Sequence, residues 1–269
     1  MLCSAHISWL FAERPYLDRV AAARAAGFDA IESAWPARPS DRDGLADTVA
    51  GQRRAAPGFA VTLLNCAAGD AGKGDRGFVN DDSRREEAEA AFAQAVELAL
   101  ATGAPQLNLL VGRALAGVPR ARQRAAVVSA IRSFDAVARA AGLRVLLEPV
   151  NALDHPGFLA PTPDDAVELI DAAGCDDVGL VLDLYHVARA GVDPASAIER
   201  HRERIGHVQV SDHPGRGVPG SGTLPLPELL ELLAGGGYDG AVGLEYEPRG
   251  RTEPTLAFLR EPRWRALFG

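Results

Sequence analysis

Residues 144–186 read RVLLEPVNALDHPGFLAPTPDDAVELIDAAGCDDVGLVLDLYH. Arg144 to Glu148 is a short apolar run closed by a proline, with the length and make-up of a buried strand. After a polar loop, Thr162, Pro163, Asp164 and Asp165 supply a capping hydroxyl, a first-turn proline and two carboxylates for the positive end of a helix dipole. Ala166, Val167, Leu169 and Ile170 follow as an apolar stripe, and Val178 to Asp183 is a second buried run. The stretch is one complete β/α unit with the next strand attached.

The same alternation runs outward in both directions. Further strands are expected over Leu2 to His6, Asp29 to Glu32, Phe59 to Asn65, Pro105 to Leu110, Ile205 to Ser211 and Ala241 to Tyr246, which makes eight. Helices are expected over Pro15 to Gly27, over Glu86 to Thr102, and from Gln123 to a left-handed stop at Gly142; Asp41 to Ala56 and the segment before Ile205 are less periodic. Eight successive units without a reversal point favour closure over an open sheet, so the expected fold is a single (β/α)8 TIM barrel over residues 1–269.

Composition bounds the function. The chain has 269 residues, 47% hydrophobic and 24% charged, enough for a sizeable core. A net charge of −8 is the wrong sign for a protein held on phosphate backbones, so nucleic acid is not an expected partner. Three cysteines, Cys3, Cys66 and Cys175, without a CxxC spacing suggest a reducing compartment rather than a disulfide framework or zinc ribbon. No apolar stretch reaches the length of a membrane span and the N-terminus has no basic leader, which together read as a cytoplasmic protein acting on a small molecule. A homo-oligomer is left open.

In such a barrel the carboxyl ends of the strands surround the active site. Glu148, Asp183, Gln209 and Glu245 stand at or near the ends of strands five to eight, separated by 35, 26 and 36 residues. Each gap is about one β/α unit, so the four side chains converge on one axis. With period two, Asp183 shares a face with Gly179 and Val181, and Glu245 with Ala241 and Gly243, while the leucines between them face the helices. Three converging carboxylates require a counter-charge, and with an amide oxygen beside them the donor set is hard and oxygen-only, favouring Mg2+ or Mn2+ over zinc. The plainer alternative is that each carboxylate merely caps a loop or pairs with an arginine. Two apparent nucleotide motifs fail. Gly215, Gly217 and Gly220 have Pro219 among them and open no helix, leaving a flexible loop at the site, and Gly72-Lys73 lacks the first glycine and the hydroxyl of a phosphate loop.

The segments LLEPVN, DHPGF, VLDLYH, IGHVQVSDHPGRG and GYDGAVGLEY, with FDAIE, NCAAGD and NLLVGR before them, resemble the hydroxypyruvate isomerases of the xylose-isomerase-like barrel superfamily over nearly the whole chain. The resemblance implies that Glu148, Asp183, Gln209 and Glu245 bind a divalent metal, that Glu148 and Glu245 are the acid/base pair, and that His186, Asp154 and Arg216 contact substrate. Glutamine at 209, where related sugar epimerases carry histidine, is itself typical of this branch. Val218, Leu224 and Arg113 depart from the family pattern.

The activity so implied is metal-assisted isomerisation of hydroxypyruvate to 2-hydroxy-3-oxopropanoate through an enediolate, a proton moving between two glutamates. The alternatives are isomerisation of a four-carbon 2-oxo acid, ketose 3-epimerisation, or a sugar-binding barrel without catalysis. A carboxylate-bearing substrate calls for a local guanidinium, and Arg216 and Arg113 are the candidates, each also readable as a solvated charge. His186 is placed either on substrate oxygens or on backbone groups; His6 and His207, inside strands, read as structural.

Overall fold

The computed structural model describes residues 1–268. The strands are β1 (Leu2–His6), β2 (Ala30–Ser33), β3 (Ala60–Asn65), β4 (Gln106–Leu109), β5 (Arg144–Leu147), β6 (Gly179–Asp183), β7 (Ile205–Val210) and β8 (Ala241–Leu244). They pair in parallel in chain order, and β8 returns to β1 with Leu2 opposite Ala241 and Ala5 opposite Leu244. The barrel is therefore closed, as the uninterrupted β/α alternation requires.

Helices follow the strands as an outer layer: α1 (Asp18–Ala25), α2 (Pro39–Ala55), α3 (Arg85–Thr102), α4 (Arg120–Ala140), α5 (Pro163–Ala173), α6 (Leu184–Arg189), α7 (Pro194–His201), α8 (Leu226–Gly235), the short α9 (Thr252–Thr255) and α10 (Pro262–Phe268). Helix α5 starts as its sequence dictates, with Thr162 and Asp165 bonding each other's backbone N–H in a capping box. The single helix expected before Ile205 is two. Gly191, at φ +78°, ends the first turn sequence after Arg189, and Asp193 with Pro194 starts a new helix, the Asp193 carboxylate accepting from Ser196 N.

Alternation along the strands separates two interiors. Val145, Leu147, Leu180, Leu182, Val208, Val210, Val242 and Leu244 face outward and join the helices in one continuous core with Ile131, Phe134, Leu169, Ile170, Leu229 and Leu233. Inside the barrel, Leu63, Leu146 and Val181 form a separate small apolar plug, Leu146 filling space left by Gly179 and Gly206. The rest of the interior is polar: Ser4 bonds Thr62 at 2.9 Å, and Glu32, Asn108, His207 and Gln209 are buried above and beside it. Branched aliphatic layers usually fill this volume. Here much of it is given to hydrogen bonds that lead toward the carboxyl end of the barrel.

Candidate active site

Register places the four predicted ligand residues on one rim. Asp183 of β6 lies opposite Gln209 of β7, and Gln209 opposite Gly243 of β8, so Asp183 and Gln209 project inward side by side. Glu245 follows one residue beyond β8, its N–H still donating to Val210 O at 3.0 Å, and Glu148 follows one residue beyond β5. All four are buried, none more than 8% exposed.

Arg216 joins them. Its Nη2 is 2.9 Å from both Asp183 Oδ2 and Glu245 Oε1, its Nη1 donates to His186 Nε2 at 2.9 Å, and its Nε donates to the Glu245 carbonyl. His186 Nε2 also stands 3.8 Å from Glu148 Oε1. Arg216 lies over the rings of Trp9 and Tyr185, which cover the guanidinium on its apolar faces. The loop that carries it is braced rather than loose. The Asp212 carboxylate accepts from the N–H groups of His213, Gly220 and Leu224, and the Asp212 and Gly217 backbones exchange two hydrogen bonds.

Burial and mutual repulsion set the charges. Burial pushes the Glu148 carboxyl well above its ordinary range, helped by Glu245 and Asp183. Burial likewise raises Glu245 to about 8, Arg216 pulling the other way and Asp183 and Glu32 adding to the rise. Burial works against the Arg216 guanidinium, but Glu245, Asp183 and Glu148 outweigh it and hold the group charged. His186 is lowered to about 4 by burial, and because an arginine can only donate, its Nε2 is an acceptor. Two carboxyl groups both shifted toward keeping their protons thus flank one cation and one neutral imidazole.

A second polar group lies beneath. Glu32 Oε2 meets His207 Nε2 at 2.6 Å and Glu32 Oε1 accepts from Gln209 Nε2 at 2.8 Å, while His6 Nε2 is 3.8 Å from Glu245 Oε1. Ligand atoms of Glu148, Asp183 and His186 lie within 4.8 Å of one another, as do those of His6, Glu32 and Glu245, and Arg216 spans the two groups. Gln209 Oε1 and Glu245 Oε2 are buried with no hydrogen-bond partner. Three carboxyl groups, one of them with an orphaned oxygen, and the orphaned amide oxygen of Gln209 suit a hard divalent cation, so the residues present fit the expected metal.

The remaining candidates sit farther out. Asp154 is exposed and engaged, accepting from Tyr185 Oη at 2.7 Å, Asn151 Nδ2 at 3.1 Å and Arg189 Nε at 3.1 Å; Asn151 Nδ2 lies 2.6 Å from His186 Nδ1. Arg113 is outside the carboxylate cluster, its backbone bridged to Phe158 and its buried Nε without a partner. It adds to the positive field on His155, whose ring packs against His186. Sequence reading passed over Glu32, although it ends an apolar run just as Glu148 does. It also passed over Asn108, which donates to Glu148 Oε2 at 2.6 Å, and over Trp9, Asn151 and Asp212. These polar and aromatic residues in strands or loops carry no distinguishing spacing.

The xylose isomerase-like TIM barrel family model matches residues 20–264. The chain is 32% identical to the hydroxypyruvate isomerase of Escherichia coli over 256 residues, covering 95% of this chain and 97% of that one. The chain belongs to the hydroxypyruvate isomerase family. A second relative in this isomerase family, the 2-oxo-tetronate isomerase of Cupriavidus necator, is also 32% identical, over 96% of both chains. Among solved structures, a Brucella melitensis protein described as AP endonuclease, family 2, superposes with a TM-score of 0.88 at 31% identity, covering 96% of this chain and 97% of that one.

Proposed function

We propose that this hydroxypyruvate isomerase family member converts hydroxypyruvate to 2-hydroxy-3-oxopropanoate with the help of a divalent cation, Mg2+ or Mn2+, in the cytoplasm. The observation that carries the reading is the pair Glu148 and Glu245, two buried carboxyl groups both held above the ordinary carboxylate range and facing each other across Arg216 and His186. Glu148, Asp183, Gln209 and Glu245 would hold the cation, which when bound supplies Lewis acidity to the substrate's neighbouring oxygens as negative charge develops there.

The chain's own groups account for the proton movements. One glutamate takes a proton from the hydroxymethyl carbon, and a proton is returned at the former carbonyl carbon from the opposite side, so carbonyl and hydroxyl exchange places with no net redox change. His186, neutral and accepting from Arg216 at Nε2, stands beside Glu148, where it can orient the hydroxyl whose proton must move between the two substrate oxygens. Arg216 is the guanidinium for the substrate carboxylate, with Arg113 as a second cation at the rim and Asp154 steadying Tyr185 and Asn151 behind His186. Trp9 and Tyr185 hold the Arg216 guanidinium in place through their ring faces.

A four-carbon 2-oxo acid is the second reading, supported by the resemblance to the Cupriavidus enzyme and requiring the same enediolate. Ketose 3-epimerisation and non-catalytic sugar binding rank below it, the first lacking the need for a guanidinium and the second leaving the paired glutamates without a task. The nuclease reading raised by the Brucella neighbour's description is opposed by the net charge of −8. Incubation of hydroxypyruvate and 2-oxo-tetronate in D2O with Mg2+, followed by proton NMR, tests the proposal. Deuterium entering beside the carbonyl, faster for hydroxypyruvate, supports it; no exchange with either acid sinks it.

A further inference from the structure

We infer that Glu32 is a positioning residue that fixes the polarity of the Gln209 carboxamide, turning its oxygen to the carboxylate cluster so that it can serve as a metal ligand. The inference rests on the cation reading above and extends it to a residue outside the predicted ligand set.

A glutamine side chain presents two ends of nearly equal shape, one oxygen and one NH2. Next to Glu148, Asp183 and Glu245, electrostatics alone favours the NH2, which would donate to a carboxylate; a cation needs the oxygen. Something below must hold the NH2 down. Glu32 does so. It is completely buried, with His207 Nε2 2.6 Å from one of its oxygens, and a carboxylate can only accept. Only a donor can face it. Gln209 Nε2 donates to Glu32 Oε1 at 2.8 Å, and Gln209 Oε1 is left buried on the other end of the amide without a partner.

The backbone is built to let Glu32 reach. From β2 its side chain crosses the barrel interior to β7, passing Gly243 of β8, where an added Cβ would collide with both Glu32 oxygens. His207 Nε2, 2.6 Å from Oε2, pins the second oxygen, so the carboxylate cannot turn to release the amide. Support of this kind behind a ligand typically governs metal affinity by about 10–100-fold.

The test compares Mn2+ affinity, read from the free-ion EPR signal, for the wild-type protein, Glu32→Gln, Gln209→Glu and the exchange of the two residues in the double variant. Glutamine at 32 can offer its own NH2 and lets the Gln209 amide turn over, so affinity is expected to fall about 10–100-fold. In the double variant the group at 209 has oxygen at either end, the buried charge is unchanged and the hydrogen bond is remade; affinity is expected to return to within a few-fold of wild type. Glu32→Gln binding Mn2+ like wild type, or a double variant no better than Glu32→Gln, overturns the inference. A wild-type protein that binds no Mn2+ overturns the cation reading itself, and this inference with it. Should Glu32→Gln not fold, 13C-labelling of the five glutamines of the wild-type chain decides, with Gln209→Glu giving the assignment. A Gln209 carbonyl resonance that moves on adding Mg2+ while its NH2 stays protected from exchange supports the inference, and one that does not move refutes it.

Discussion

Arg216→Met separates the electrostatic design of the site from its packing. The guanidinium is the cation in contact with Asp183 Oδ2 and Glu245 Oε1, both at 2.9 Å, and methionine keeps its length against Trp9 and Tyr185 while removing the charge. Removing one partner of a buried ion pair costs roughly 3–5 kcal/mol, because the other charge is stranded. For a chain of this size that corresponds to a fall in Tm of roughly 6–20 °C at pH 8 without metal. The loss must shrink at low pH. Glu245 holds its proton up to about 8 even beside Arg216, and burial shifts Glu148 the same way, so at pH 5 Glu245 is neutral and less negative charge is exposed to the missing guanidinium. Calorimetry in EDTA at pH 5 and pH 8 measures the difference, and added Mg2+ should restore much of the Tm at pH 8. A variant as stable as wild type at pH 8 in EDTA would refute the assignment of Arg216 as the counter-charge of these carboxylates.

Other outcomes follow from the same geometry. Glu148→Gln and Glu245→Gln should each lower kcat by about 10²–10⁴-fold with an unchanged circular dichroism spectrum, and near-normal kcat for either removes that residue from proton transfer. In metal-free wild type, the buried histidines lowered to about 4 oppose the raised carboxyl groups below about 6.5, but above it the raised pKa of Glu245 means the native state binds more protons than the unfolded chain, so stability should fall as pH rises from about 6.5 to about 8, by up to about 1.4 kcal/mol per unit from this group, and Mg2+ should flatten the profile. Asp212→Ala removes the acceptor of three loop N–H groups, so KM should rise well before Tm falls, as measured by initial rates against thermal melting.

The barrel was legible because its evidence is local: eight apolar runs, caps such as Thr162 with Asp165, and stops such as Gly142 each act within a few residues. The carboxylates at strand ends were legible for a related reason, since an acid closing a buried run stands out against its neighbours. Glu32 met the same criterion, but its role depends on Gly243, more than two hundred residues away, leaving room for it to cross the barrel. Arg216 became visible only through the resemblance. Its seat is made by Asp212, Trp9 and Tyr185, which come from three separate loops or helices and share no spacing. The division of α6 from α7 was missed because a glycine and an aspartate inside a weakly periodic stretch do not announce a break until the chain is seen to turn.

The hydrophilic lumen has a consequence for how this protein can be improved. Replacing Glu32, His207 and Gln209 together with well-fitted aliphatic side chains would remove a buried ionic group whose desolvation is expensive, and such exchanges are often neutral or stabilising. The product would be a sturdier scaffold and an idle one. Selection for thermal tolerance alone would therefore push this lumen toward oil, whereas selection for turnover keeps it wet-like and leaves the helical jacket outside as the place where durability can be gained without cost to chemistry.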